Sequence, residues 1–221
     1  MRGEQLRTRY VSGRTQLRQL LASYVSAPPC AIRFGRTVDG KPFLVGAPIA
    51  FSFSRCDGRA ACVVVGTATA AAIGVDIEHV RPLPERDRIV ATWFTPVERG
   101  VWRRAPAAAR DALFFRWWTR KEAILKALGV GLKRDVRTVD VSLAASPCDP
   151  NDDVRTQQGW HLREVHACGA VVTIASEYAF EFVTVREWAS GMRRGVDGRS
   201  GQLEPRPTGL TSASTAAALR G

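Results

Sequence analysis

The chain has 221 residues, 45% of them hydrophobic and 24% charged, which is the balance of a globular protein large enough to bury a core. No apolar run approaches the roughly 20 residues needed to span a bilayer, and the opening MRGEQLRTRYVSG lacks the apolar centre of a secretory signal. Thirty-two Lys and Arg against 21 Asp and Glu leave a net charge of +11, which asks for an anionic partner such as nucleic acid, a phosphorylated small molecule or an acidic protein.

Arg supplies 28 of the 32 basic residues and Lys only four, at 41, 121, 126 and 133. An Arg surplus of this kind is a common effect of genome composition, so the few Lys are the more informative cations. The five Cys are scattered without a CxxC pair and the three His are dispersed. That pattern fits reduced thiols in a cytoplasmic protein rather than a disulfide framework or a zinc knuckle.

In chain order, residues 9–25 place Leu17, Leu20, Leu21 and Tyr24 at helical spacing, with Ser12 as a candidate cap and Pro28-Pro29 as the stop. Residues 31–46 read as loop and short strand, Phe51–Phe53 as a strand, and 60–66 and 72–78 as two buried strands. Pro82 and Pro84 mark a lobe boundary. Residues 85–94 read as a helix, and 107–128 carry the longest helical pattern, closed by Gly129. Strands are predicted at 136–144, 159–166, 169–176 and 179–186, the middle two joined by a hairpin at Ala167-Cys168-Gly169. From residue 190 the composition is that of a flexible tail, with a weak helix at 213–220. The expected fold is α+β in three parts: an N-terminal lobe 1–82, a C-terminal lobe 83–189 and the tail 190–221.

Two segments carry the chemistry. In Gly74-Val75-Asp76-Ile77-Glu78, strand alternation puts Asp76 and Glu78 on one face and Val75 and Ile77 on the other. Two carboxylates side by side on an otherwise apolar strand suit a hard cation such as Mg²⁺; a solvated outer face is the plainer alternative. In Trp118-Thr119-Arg120-Lys121-Glu122-Ala123-Ile124-Leu125-Lys126, helical spacing puts Trp118, Glu122 and Lys126 on one face. Taken alone, Glu122 and Lys126 would be an ordinary surface pair. Together the segments offer three acids and two amines, the makings of a metal-plus-phosphate site.

The combination resembles the 4′-phosphopantetheinyl transferases of the monomeric, surfactin-synthetase-activating type. Their bipartite pattern is matched by Ile73-Gly74-Val75-Asp76, 41 intervening residues, and the run Trp118–Lys126. Gly40-Lys41-Pro42, Phe51–Cys56, Arg14-Thr15 and Gly129–Leu132 resemble further family elements in family order, so that the likeness covers roughly residues 7–188. The resemblance implies two pseudo-symmetric α/β lobes, coenzyme A as co-substrate, Mg²⁺ as cofactor, and an acyl or peptidyl carrier protein as partner. It implies a monomer with no nucleic acid or membrane partner. Asp76, Glu78 and Glu122 would be the metal ligands and Glu122 the general base. Lys126, with Lys121 beside it, would neutralise the pyrophosphate. Lys41, Ser54 and Arg55 would hold the 3′-phosphate, Pro42 would pack on the adenine, and Thr15 would contact coenzyme A. Arg55 and Cys56 stand where the family has His and Ser.

Two rivals remain open. A Mg²⁺-dependent nuclease also gathers Asp, Glu and Lys, but its acidic-x-Lys pair sits on one strand, whereas Glu122 and Lys126 are four apart in a helical pattern. A basic nucleic-acid module would use the Arg surplus and the Trp residues, yet Trp93, Trp102, Trp117 and Trp118 fall within helical patterns that favour core packing.

Overall fold

The computed structural model describes residues 2–66, 72–130, 135–142, 153–167, 169–180, 183–189 and 214–220. The predicted hairpin residue Cys168, Lys133 and residues 190–213 of the predicted tail lie outside that set. The α+β class expected from the sequence is found. Among the described residues no helix is long and apolar enough to cross a membrane.

Helix α1 (Arg2–Val25) begins well before Ser12, so Ser12 lies inside it rather than capping it. Leu17, Leu20 and Leu21 are buried against Leu44, Ile49, Phe51 and Val64, the stripe their spacing predicted. Strands β1 (Phe34–Arg36) and β2 (Pro42–Leu44) form a small hairpin. Strands β3 (Ile49–Cys56) and β4 (Arg59–Gly66) pair antiparallel. Their turn, Asp57-Gly58, has positive φ at both residues (47° and 76°), the conformation an Asp-Gly hairpin turn takes.

Strand β5 (Ile73–His79) pairs with β8 (Ala170–Ser176), which pairs with β7 (His161–Ala167) and it with β6 (Val154–Arg155). The strand expected to end the N-terminal lobe thus takes its hydrogen bonds from the C-terminal residues. The two sheets pack through Ala61, Val63 and Val65 of β4 against Ile73, Val75, Ile77, Val172 and Ile174. Helices α2 (Arg86–Trp93), α3 (Pro96–Arg104) and α4 (Arg110–Leu128) form the third cluster, with Phe94, Trp102, Phe114 and Trp117 at its centre.

Two predicted elements differ. Of the strand predicted at 136–144, the described residues 136–142 form none, and 143–144 lie outside the described residues; Val136–Thr138 is a single 3₁₀ turn started by the Asp135 side chain, which accepts from Arg137 N at 3.0 Å. The backbone groups a ladder would need are taken: Val136 O and Val139 O accept from the Lys121 amine, and Val141 N donates to Glu98. The weak helix at 213–220 is instead strand β10 (Ser214–Arg220), antiparallel to β4 and parallel to β9 (Val183–Ala189). Ala-rich helix propensity is worth only tenths of a kcal/mol per residue, and two strand edges that each offer a full ladder outweigh it.

Candidate active site

Helix α4 lies directly on β5, and Gly74 allows it. A Cβ at position 74 would stand 1.9 Å from Ala123 O and 2.5 Å from Ala127 N, both helix backbone. Gly74→Ala therefore has to push β5 off α4. The expected result is an overpacking loss of about 1–3 kcal/mol, read as a lowered Tm, together with loss of the contacts described next.

The close approach brings β5, α4 and β3 together at one point. Asp76 is buried at 4% exposure, so the solvated-face alternative does not hold for it. Its Oδ1 accepts from Ser54 Oγ at 2.7 Å and from Lys126 Nζ at 2.5 Å, and Lys126 also donates to Ser54 Oγ at 2.6 Å. One residue pair further along the same strands, the Cys56 thiol donates to Glu78 Oε2 at 3.1 Å. Glu78 Oε2 also accepts from Arg81 at 3.2 Å. Strands β3 and β5 thus run side by side, Ser54 against Asp76 and Cys56 against Glu78.

Glu122 lies one helical turn before Lys126 and shares this environment electrostatically. Burial raises its pKa; Asp76 and then Glu78 raise it further, while Lys126 pulls it down. Burial likewise raises Asp76, against the pull of Lys126 and Ser54. Burial pushes the Cys56 thiol up to about 11, with Glu78 adding to it, so Cys56 is a neutral donor here and not a thiolate nucleophile.

Whether these residues suit a hard cation can be judged from the acceptors themselves. Asp76 Oδ2 is buried with no hydrogen-bond partner among the described residues, an oxygen that a cation would satisfy. Glu78 and Glu122 add further carboxylate oxygens, the donor type Mg²⁺ takes. Among the described residues, however, no three His, Cys, Asp or Glu side chains form a closed metal cage. Asp76 and Glu78 each pair with a cation instead, Lys126 and Arg81, while Glu122 lies near enough to both carboxylates for them to raise its pKa. Mg²⁺ commonly takes one or two carboxylates and completes its shell with water and phosphate oxygens, so the donor set fits this ion.

The other predicted residues separate into three groups. Lys121 does not join Lys126. It is 1% exposed and ion-paired at 2.9 Å with Glu98, itself fully buried. One residue is about 100° of helix, and 121 turns toward α3 while 122 and 126 turn toward β5. Lys41 Nζ donates to Ile73 O at 2.9 Å and Ala127 O at 2.7 Å, and burial lowers its pKa to about 8. Thr15, Arg55 and Pro42 lie outside the carboxylate cluster. Arg55 leans on α1, where a Cβ at Gly13 would stand 2.8 Å from its guanidinium. Thr15, with Arg14, Arg18, Arg33 and Phe34, lines a recess of about 630 Å³. Pro42 opens β2, opposite Arg36.

The residues that sequence reasoning missed are mostly buried ions. Glu98 accepts from Thr95 N and Val141 N as well as pairing with Lys121. Arg120 and Arg116 both bind Glu164. A signal existed for Glu98: Thr95-Pro96-Val97-Glu98 is a capping-box sequence, and both of its hydrogen bonds form.

Comparison with known proteins gives one consistent answer. A family model described as the 4′-phosphopantetheinyl transferase superfamily matches residues 72–183. The 4′-phosphopantetheinyl transferase HetI of a Nostoc species is 31% identical over 176 residues, 76% of this chain and 71% of that protein. An L-aminoadipate-semialdehyde dehydrogenase-phosphopantetheinyl transferase of Schizosaccharomyces pombe is 32% identical over 52% of this chain and 49% of its own length. The 4′-phosphopantetheinyl transferase psf-1 of Bacillus pumilus is 29% identical over 56% and 51%. The chain thus spans about half the length of the last two. The matched segment runs from β5 to the start of β9 and contains Asp76, Glu78, Glu122 and Lys126.

Proposed function

Because the chain belongs to the 4′-phosphopantetheinyl transferase superfamily and is an enzyme of that class, we propose that it moves the 4′-phosphopantetheine arm of coenzyme A onto a serine of an apo acyl or peptidyl carrier protein. The reaction requires Mg²⁺ and releases adenosine 3′,5′-bisphosphate. The surfactin-synthetase-activating type and its pseudo-symmetric two-lobe organisation belong to the same proposal, as does a monomer acting in the cytoplasm.

The observation that carries this reading is the meeting of Asp76 and Lys126 between β5 and α4, with Glu122 one turn away. Asp76, Glu78 and Glu122 would hold Mg²⁺, which when bound supplies charge neutralisation for the pyrophosphate. Glu122 takes the proton from the carrier serine Oγ as general base. The serine oxygen then forms its bond to the β-phosphorus as the bond from that phosphorus to the bridging oxygen breaks. Lys126 Nζ faces the leaving phosphate and offsets its charge. Positioning and electrostatics supply most of the rate in such transfers.

The recess beside Thr15, with its three Arg, suits the phosphorylated adenosine end of coenzyme A, and Arg55 borders the same helix. A second, apolar groove of about 590 Å³ lies between α3, α4 and the start of β8, lined by Val80, Leu113 and Val171 and bordered by Arg104 and Arg116. It begins two residues beyond Glu78 and suits an acidic carrier helix that presents its serine to the cluster. The test is to incubate the protein with coenzyme A, Mg²⁺ and apo-carriers of fatty-acid, polyketide and peptide-synthetase origin. The expected result is a phosphopantetheine mass increase on one of them; no increase on any would overturn the reading.

A further inference from the structure

We propose that Lys41 is a positioning residue that sets the spacing between β5 and α4, and not a ligand of the coenzyme A 3′-phosphate. The inference rests on the transferase reading above and reassigns one residue within it.

The backbone around Lys41 is fixed before its side chain is considered. Thr37 N donates to Lys41 O and Gly40 N to Thr37 O, both at 2.9 Å, while Lys41 N donates to Thr37 Oγ1 at 3.1 Å. Gly40 takes φ 92°, a conformation that side-chain-bearing residues rarely adopt. The turn is further tied by Arg36, which donates to Gly40 O at 2.8 Å. From this rigid hairpin the Lys41 stem runs along Gly129, where a Cβ would stand 3.1 Å from Lys41 Cβ. Gly129 is the left-handed residue that closes α4 and leaves room for the stem.

The amine ends on two carbonyls that matter for the site. Ala127 O is one of the last carbonyls of α4, which have no partner within the helix. A cation there is also favoured by the helix dipole. Ile73 O opens β5. Ala127 directly follows Lys126, and Ile73 precedes Asp76 by three residues. Lys41 therefore holds together the two backbones whose side chains make the Asp76–Lys126 pair, and Gly74 permits the contact it fixes. Both hydrogen bonds use a group that a phosphate would have to pull out of a largely buried position.

The test uses the full chain and two variants, Lys41→Met and Lys41→Gln. Calorimetry gives Kd for coenzyme A and for 3′-dephospho-coenzyme A, and steady-state assays give kcat, all well below each variant's Tm. The expected result is a kcat at least tenfold lower in Lys41→Met, partial recovery in Lys41→Gln, which keeps a donor, and both Kd values within about threefold of wild type. A phosphate ligand would behave oppositely: Kd for coenzyme A would rise while that for the dephospho form stayed put, and the preference between them would collapse. That outcome, or a folded Lys41→Met with wild-type kcat, overturns the proposal. If Lys41→Met does not fold, the same readings on Lys41→Gln decide between the two roles. Failure of the wild-type protein to modify any carrier would instead overturn the transferase reading.

Discussion

Glu122→Gln is expected to abolish transfer while leaving the fold at least as stable as wild type. The amide keeps the shape but cannot accept the serine proton, and losing a general base costs about 100- to 10,000-fold. The stability arm follows from linkage. Burial, Asp76 and Glu78 raise the Glu122 pKa above its ordinary 4.5. The folded protein therefore binds this proton more readily than the unfolded chain does. As pH rises through the interval between the unfolded and folded values, the unfolded chain ionises first and the folded state loses stability. At neutral pH the ionised Glu122 is a net cost, and Gln removes it. The relief is expected to raise Tm. Scanning calorimetry without added metal, at several pH values, checks the stability arm, and the carrier-modification rate checks the catalytic one. A Glu122→Gln protein that turns over at more than a tenth of the wild-type rate would remove Glu122 from the mechanism.

The second large effect lies away from the chemistry. Glu98→Ala strips a fully buried carboxylate from Lys121, Thr95 N and Val141 N at once. Leaving one charge of a buried pair uncompensated costs about 3–5 kcal/mol, a large share of the roughly 5–15 kcal/mol that holds a typical domain together. Lowered Tm and poor recovery of folded protein are the expected observations. The double variant Glu98→Leu with Lys121→Met should lose much less than the sum of the single changes, because neither charge is then left alone. If that double variant folds, its turnover should be close to wild type. Loss of coenzyme A binding in it would show that Lys121 reaches the phosphates after all.

The sequence was most legible where periodicity and chemistry agreed. Alternation along 73–78 placed Asp76 and Glu78 opposite Val75 and Ile77, and the structure buries Val75 and Ile77 in the inter-sheet core while Asp76 meets Lys126. Helical spacing put Glu122 and Lys126 on one face, and Gly129 closed α4 as expected. The failures share a cause: a side chain's direction depends on what packs against its element. Nothing local distinguishes Lys121 from Lys126, and only the position of α3 turns the first into half of a buried ion pair. From the sequence Lys41 is expected at the 3′-phosphate, and its contacts with Ile73 O and Ala127 O appear only once β5 and α4 are in place. Residues 136–142 of the predicted strand form none because Glu98 and Lys121, far away in sequence, claim their backbone groups. Strand β10 is a non-local pairing, and its Ala-rich text carries no sign of the edges that receive it.

The central claim is that one cluster, Asp76, Glu122 and Lys126, couples attack by a carrier serine to departure of the nucleotide. Product stoichiometry tests it most directly, by quantifying adenosine 3′,5′-bisphosphate and modified carrier from the same reaction and locating the modification by fragmentation mass spectrometry. One nucleotide released for each carrier modified, on a single serine, and neither product with Asp76→Ala, is the predicted result. Nucleotide release that continues without carrier modification, or equal yields of both products from Asp76→Ala, would contradict it.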